Sequence, residues 1–432
     1  MRKPAVTRDT VWLASADITC VLIALIGQVI LARSLFATDY GMMIIILDAF
    51  ATLMILVDAG LPTVLLRDGQ NAPNAVRRAG RRILKLQAII AIPFLLIGLG
   101  AGTLFWNDSI PLVLTGAAIA TAQIAVRTHR AMLRVLGEAR LEGMTKVVER
   151  AVTVGGYATL FLTGSNIAVH FASAFLLGSL VGLLFAMILV RIISLDSEEE
   201  LDGIWLNNKT LLLGALPFAI TLVFLPYVTR KEKFILAIFE NYEQVALFHV
   251  AQLAWLAGLT IPHAMRAAIL PVFGSSNDLE KEVANTRKLT LFLTPVGFLI
   301  GALLISILIP MVFPSEYSDG SLGANASAIF MILLSGWALT MLCVPEYTKL
   351  LAGDRPWRYT ALHGLIVGVS TIAGLILIPF IGLVGAAWAS VIGSATMYFF
   401  SHVLSNSKFD KNSITLAFTS FVCSLILYDF LK

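Results

Sequence analysis

Residues 211–239 read LLLGALPFAITLVFLPYVTRKEKFILAIF, an apolar run long enough to cross a membrane that still carries Arg230, Lys231, Glu232 and Lys233 in succession. As one helix its 29 residues would run about 43 Å, beyond the ~30 Å hydrocarbon core. The tetrad would then lie in the half of the bilayer remote from Lys209. Ionisable groups at that depth are costly and normally face a partner or a water-filled cavity. At about 100° per residue, Arg230 and Lys233 share a face while Lys231 and Glu232 point elsewhere. The alternative is a helix that stops near Thr229, leaving the tetrad exposed or snorkelling to the headgroups. Against it, FILAIF is too short to span, and three cations would fall on the outer side. A cavity role for Arg230 or Lys233, with Lys231 beside them, is the expectation.

The rest of the chain has the same character. Of 432 residues, 58% are hydrophobic and only 13% charged, and the mean hydropathy is +0.86. Soluble domains carry about a quarter charged residues, so this is an integral, all-α membrane protein. The net charge of +4 does not indicate nucleic acid, because the cations cluster beside membrane segments, where they fix topology. Cys20, Cys343 and Cys423 lie in separate apolar runs with no metal or disulfide spacing. MRKPAVTR followed by the run 11–32 resembles a signal peptide. Its apolar part is too long for a typical one and has no convincing small-residue cleavage site, so it is expected to be an uncleaved first span.

Spanning runs fall at 11–32, 40–61, 84–106, 110–130, 145–164, 167–193, 211–239, 244–267, 289–313, 325–347, 359–380 and 385–404. A thirteenth, 413–431, either crosses or lies along the membrane surface. Lys and Arg concentrate at the N-terminus and in the even-numbered loops, Arg266 being counted among the loop cations. Odd loops up to span twelve hold only Arg33 besides the tetrad. The N-terminus and even loops are therefore expected in the cytoplasm. The outer loops are short, and none could fold as a catalytic domain.

The run 194–208 contains Asp196, Glu198, Glu199, Glu200 and Asp202, the composition of a solvated linker. It divides the chain into a six-helix lobe (1–194), a linker (195–208), a second six-helix lobe (209–405) and a tail (406–432). The halves show a weak internal similarity. LARSLFATDYGMMIII (31–46) and LAIFENYEQVALFHVA (236–251) each leave one span and enter the next. With six spans apiece the halves would be parallel repeats.

No Walker A, HExxH, GxSxG or paired-cysteine motif occurs, so neither an ATP-driven pump nor an enzyme is expected. His129, His170, His249, His263, His363 and His402 are scattered along the spans and read as polar packing residues. Three acids lie in apolar runs of the first half. Asp58 sits in DAGLP, where helix termination explains it, and Asp17 shares a face with Cys20 and Gln28. Asp48, near the middle of span two, could balance a cavity cation, carry a coupling ion or hydrogen-bond a neighbouring helix. Arg127, Arg130 and Arg134 make one basic stripe on span four. It reads either as a phosphate-attracting mouth or, by preference, as topological anchoring.

LARSLFATDYG and LVDAGLPTVLLRDG resemble the span-one exit and span-two end of polysaccharide-biosynthesis flippases of the O-antigen type. These belong to the multidrug/oligosaccharidyl-lipid/polysaccharide exporter superfamily. EQVALFHVAQLAWLAGLTIPHAMRAAILPVF is similar to the family's span eight. VFPSEYSDG, LLAGDRP and LILIPFIGLVGAAWAS are similar to its later segments. The resemblance implies two six-helix lobes around a central cavity that opens alternately inward and outward in a bacterial inner membrane. It implies an undecaprenyl-diphosphate-linked oligosaccharide as cargo, for O-antigen, lipopolysaccharide or another surface polysaccharide, with a polymerase and glycosyltransferases as partners. No cofactor is implied beyond a coupling Na+ or H+. Many members carry an acid late in span seven, and Glu232 stands there, flanked by two extra lysines. The thirteenth segment departs from the usual even count. The rivals are a cation-coupled multidrug exporter, which would prefer an acidic or neutral cavity, and a membrane polymerase or glycosyltransferase.

Overall fold

Every apolar run of the sequence is helical, as it must be where lipid offers the backbone no hydrogen-bond partner. The structure, a computed structural model, describes residues 6–69, 75–193, 207–275, 278–353 and 356–432. The expected acidic linker lies outside these, apart from Asn207 and Asn208. The described residues contain helices and turns but no strand.

They cluster into two compact units, Met1–Val223 and Phe224–Lys432. The first unit contains α1 (Val6–Ser34), α2 (Ala37–Asp58), α3 (Leu61–Asp68), α4 (Val76–Phe105), α5 (Ile110–Val135), α6 (Ala139–Leu162) and α7 (Ala168–Ile193). It also holds most of α8 (Asn208–Val228), whose Leu211 and Ala215 join the core of Leu61, Leu65, Ile83 and Leu133. The second contains α9 (Lys231–Phe239), α10 (Tyr242–Gly258), α11 (Thr260–Ser275), α12 (Leu279–Val312), α13 (Ala326–Leu342), α14 (Val344–Ala352), α15 (Pro356–Leu404) and α16 (Lys411–Leu431).

Among the described residues nine stretches are long and apolar enough to cross a membrane, or ten if α13 and α14 form one span bent by 48°. One of the nine, within α15, holds two expected spans, because Ile381 and Gly382 leave the helical region (φ 53° at Gly382). A side chain on Gly382 would also meet Glu240, 3.1 Å from a Cβ. Helix α6 falls outside the count because Arg140, Glu142, Lys146, Glu149 and Arg150 interrupt its apolar sequence. The chain is thus a multi-pass membrane protein.

The two quoted similar stretches adopt the same structure. In each, a helix ends on the fourth residue (Ser34, Phe239) and the next begins on the seventh (Ala37, Tyr242). Both second helices then break. Helix α2 stops at Asp58 as expected from DAGLP, with Ala59 and Gly60 in the left-handed region (φ 49° and 70°), before α3 restarts. Helix α10 stops at Gly258 and α11 restarts at Thr260.

The expectation of one continuous helix over 211–239 is corrected here. Helix α8 ends at Val228 and α9 begins at Lys231, with Arg230 at φ −117°, ψ −24° between them. Tight i→i−3 bonds close α8, from Thr229 N to Pro226 O (3.3 Å) and from Arg230 N to Tyr227 O (3.1 Å). Pro226 also lacks an N–H for the last turn. Arg230 therefore lies outside both helices, and the shared face computed for Arg230 and Lys233 does not exist. The stop near Thr229 is real, but Lys231, Glu232 and Lys233 are buried, not exposed.

Helix α16 runs the length of the second unit. Its Ser413 meets the Tyr398 hydroxyl of α15 (2.8 Å), and Leu431 O accepts from Asn325 at the start of α13 (3.2 Å). Ser420 and Ser424 are buried along it, with α13 and α12 as its packing neighbours. By length and apolar composition it could cross a membrane.

Candidate functional site

In the first unit the basic stripe of α5 is paired with carboxylates. Arg130 Nη2 lies 2.6 Å from Glu149 Oε2, and its Nε donates to Thr145 (3.0 Å). The Gln123 amide donates to the other Glu149 oxygen (2.6 Å) and to Ser179 (2.9 Å). Arg134 forks onto Glu142, its Nε at 2.7 Å, and Lys146 bridges Glu142 (3.5 Å) and Asp17 (2.8 Å). Arg127, 54% exposed, keeps a looser contact with Asp58 at 3.7 Å. Glu149, Glu142 and Asp58 are buried, and a carboxylate in such a place requires a paired cation. The structure adds a partner to each arginine of the stripe. The stripe is the counter-charge of three buried acids. Asp48 is half-buried on α2, the helix that ends at Asp58.

Helices α6 and α7 approach closely to form it. A Cβ on Gly182 would lie 2.9 Å from Glu149 Cβ, and one on Gly178 only 2.0 Å from Thr153 Oγ1. Small residues four apart permit such contact between membrane helices.

In the second unit the break in span seven opens onto a cavity of about 550 Å³. Its wall includes Val228, Thr229 and Lys231 at the break, Trp255 of α10, and His263 and Arg266 of α11. Tyr347 of α14, with Tyr359 and His363 of α15, adds to the polar part. The carbonyls freed at the break are answered locally. Lys231 Nζ donates to Val228 O (2.7 Å) and to Glu232 Oε1 (2.5 Å), and Gln252 Nε2 donates to Thr229 O (2.8 Å). A cation at a helix C-terminus also complements the dipole. Lys231 and Glu232 are each 1% exposed.

Arg266 is held differently. Its guanidinium stands 4.5 Å from the centroid of the Tyr347 ring, and among the described residues no carboxylate pairs with it. Below it, His363 Nδ1 faces Tyr359 O (2.9 Å), and a carbonyl can only accept, so Nδ1 carries the proton. In the neutral tautomer Nε2 can accept from the Tyr347 hydroxyl (3.1 Å), which can in turn accept from Tyr359 (2.6 Å). The network fixes the ring on which Arg266 rests.

Of the residues singled out from the sequence, Arg230, Lys231, Glu232 and Lys233 gather at the break. Arg127, Arg130 and Asp17 belong to the first unit's ion-pair network. From the sequence alone Arg266 counts among the loop cations and the histidines as unrelated packing residues. Instead Arg266 lies inside α11, and His263 and His363 share one cavity wall. The available signal was TIPHAMR, a cation and a histidine three apart in an otherwise apolar run. No local rule links it to Tyr347 or His363, about eighty to a hundred residues away.

Comparison with known proteins follows the same lines. A family model described as polysaccharide biosynthesis protein matches residues 6–277. No curated protein sequence matches the chain. Among solved structures, it is similar to the lipid II flippase MurJ in an inward closed conformation, with a TM-score of 0.74 at 13% identity over 97% of this chain and 93% of that one. It is also similar to a MOP-superfamily transporter from Pyrococcus furiosus described as having a binding pocket of reverse polarity (TM-score 0.63, 16% identity, 98% and 96% covered). A MATE protein in complex with MaL6 gives a TM-score of 0.59 at 16% identity, with 99% and 96% covered. The shared property is the fold of polytopic transporters.

Proposed function

We propose, for a chain that belongs to the polysaccharide biosynthesis protein family, that it flips a diphosphate-linked oligosaccharide on an undecaprenyl carrier from the cytoplasmic to the outer leaflet. The observation that carries this reading is Arg266, presented to a largely apolar cavity with no carboxylate in an ion pair with it among the described residues. A diphosphate entering a partly desolvated site needs compensating charge, and guanidinium supplies it in a bidentate fork. His263, one turn earlier on α11, adds a polar group, while Arg230 and Lys233 bring further positive charge to the break. Trp255 and the tyrosines offer flat faces to sugar rings. The lipid tail stays in the bilayer during alternating access, and the glycan becomes O-antigen or another surface polysaccharide. A polymerase and glycosyltransferases of the same pathway are its expected partners. Asp48, near the middle of span two, is the first-unit acid assigned to balance charge during the cycle.

The family resemblance implies a bacterial inner membrane, and the distribution of Lys and Arg supports an orientation with the N-terminus and Glu280 in the cytoplasm and Ser318 outside. Reporter fusions at Glu280 and Ser318 test this, and an external Glu280 overturns the orientation.

The decisive experiment measures surface polysaccharide in a strain lacking its own flippase and complemented by this chain, normalised to the amount of protein in the membrane. Loss of one charge-assisted contact of ~1.5–3 kcal/mol lowers affinity about tenfold to a hundredfold. Arg266→Ala should abolish most surface glycan at normal abundance, and Arg266→Lys should retain part of it. Full complementation by Arg266→Ala would refute the reading. A cavity that prefers cationic drugs, the multidrug-exporter alternative, would instead be improved by that substitution.

A further inference from the structure

The break between α8 and α9 has the oxygen-rich surroundings of a cation site. In transporters, unwound carbonyls and half-helix C-terminal ends coordinate the coupling cation near the middle of the bilayer. Here the C-terminal end of α8 contributes Val228 O, and Glu232 contributes a carboxylate. Gln252 lies alongside, held by its bond to Thr229 O. Two further oxygens, Glu232 Oε2 and Gln252 Oε1, are buried and have no hydrogen-bond partner among the described residues. A buried carboxylate and amide with unused acceptors form a poor end-point for a purely structural cap. They are a good set of hard ligands for a monovalent metal ion.

The place is taken by the Lys231 ammonium, which donates to Val228 O and Glu232 Oε1 at 2.7 and 2.5 Å. We infer that Lys231 is a tethered substitute for an alkali cation at the break of span seven, so that the wild-type protein binds no sodium there and removal of the side chain creates a sodium site. The tether is covalent, so the group that fills the site cannot leave it during a cycle. Flipping then draws on no sodium gradient through this site. Sodium binding is independent of the flipping reading, and only its consequence for transport rests on it.

The test uses the purified full chain in detergent, with radiolabelled sodium as probe and choline chloride as the ionic-strength control. Lys231→Ala and Lys231→Ser, which vacate the volume of the side chain, should retain about tenfold more sodium than wild type. They should also melt at higher temperature in sodium chloride than in choline chloride. Lys231→Met, which fills the space without charge, should bind none. Adding Glu232→Gln to Lys231→Ala should remove the sodium effect. Stoichiometric sodium binding by wild type that survives in Lys231→Met overturns the inference. So does a Lys231→Ala protein, or a Lys231→Ser one, indifferent to sodium. Failure of both to fold even in sodium overturns it too, since the ion should satisfy the vacated oxygens. In cells, surface glycan made through wild type should be insensitive to external sodium, and glycan made through Lys231→Ala sensitive. A sodium effect on melting without one on glycan would leave the site intact and count against the flipping role alone.

Discussion

Arg130 of the first unit and Arg266 of the second are both guanidiniums on helices of apolar spans, yet their surroundings differ. Arg130 lies 2.6 Å from the carboxylate of Glu149, which is 2% exposed. Arg266 lies on the face of Tyr347 with a cavity beside it. A carboxylate at contact distance uses up both the charge and the donor geometry of an arginine. An aromatic face attracts the cation but leaves its N–H groups directed elsewhere. The first kind of arginine holds helices together, and the second is the kind proposed above to meet a ligand. Counting cations in a membrane protein therefore says little until their partners are known.

The comparison breaks most visibly if Glu149 is removed. Glu149→Ala leaves Arg130 nearly buried and unpaired, and stripping one partner from a buried pair costs about 3–5 kcal/mol. Loss of the protein from the membrane, or a sharply lowered melting temperature in detergent, is expected. The double change Arg130→Met/Glu149→Leu should recover most of that stability, because well-packed apolar groups replace a buried pair at little cost. A ligand-binding Arg130 would instead leave the double variant stable but unable to make surface glycan.

Next in size is Gly182→Ala. The new methyl meets Glu149 at 2.9 Å, and overpacking of this kind costs about 1–3 kcal/mol. It should lower the melting temperature without changing the substrate profile. An unchanged melting temperature would show that α6 and α7 are not held at this separation.

Replacing the aromatic platform is subtler. Tyr347→Leu removes a cation–π contact of about 0.5–2 kcal/mol, lowering apparent substrate affinity roughly twofold to thirtyfold, whereas Tyr347→Phe keeps the ring and should retain more activity. Equal loss in both variants would shift the role from the ring to the hydroxyl chain with His363 and Tyr359.

The smallest effect is expected at Asp17, whose side chain is 58% exposed. Asp17→Asn should change stability by at most about 1 kcal/mol, since Lys146 retains Glu142 and exposed pairs contribute little. A large loss of surface glycan at normal abundance would assign Asp17 a part in transport.

Much of this molecule is legible along the chain because hydrophobic length is a local property. Thirteen apolar runs became helices, DAGLP stopped α2, and two similar stretches placed four helix ends at matching positions. Lipid enforces this reading, since an unpaired backbone cannot remain in hydrocarbon. The tetrad in span seven was visible as an anomaly for the same reason. What it does was not. Helical periodicity assumes an unbroken helix, and the break at Thr229–Arg230 shifts every side chain after it to a new direction. Partner identity is the other quantity that sequence does not contain. Arg130 on α5 finds Glu149 on α6, while Arg266 finds the ring of Tyr347 from a distant span and, among the described residues, no carboxylate in an ion pair. Which charges are neutralised and which remain available depends on distances of a few ångströms, and only packing in three dimensions sets those.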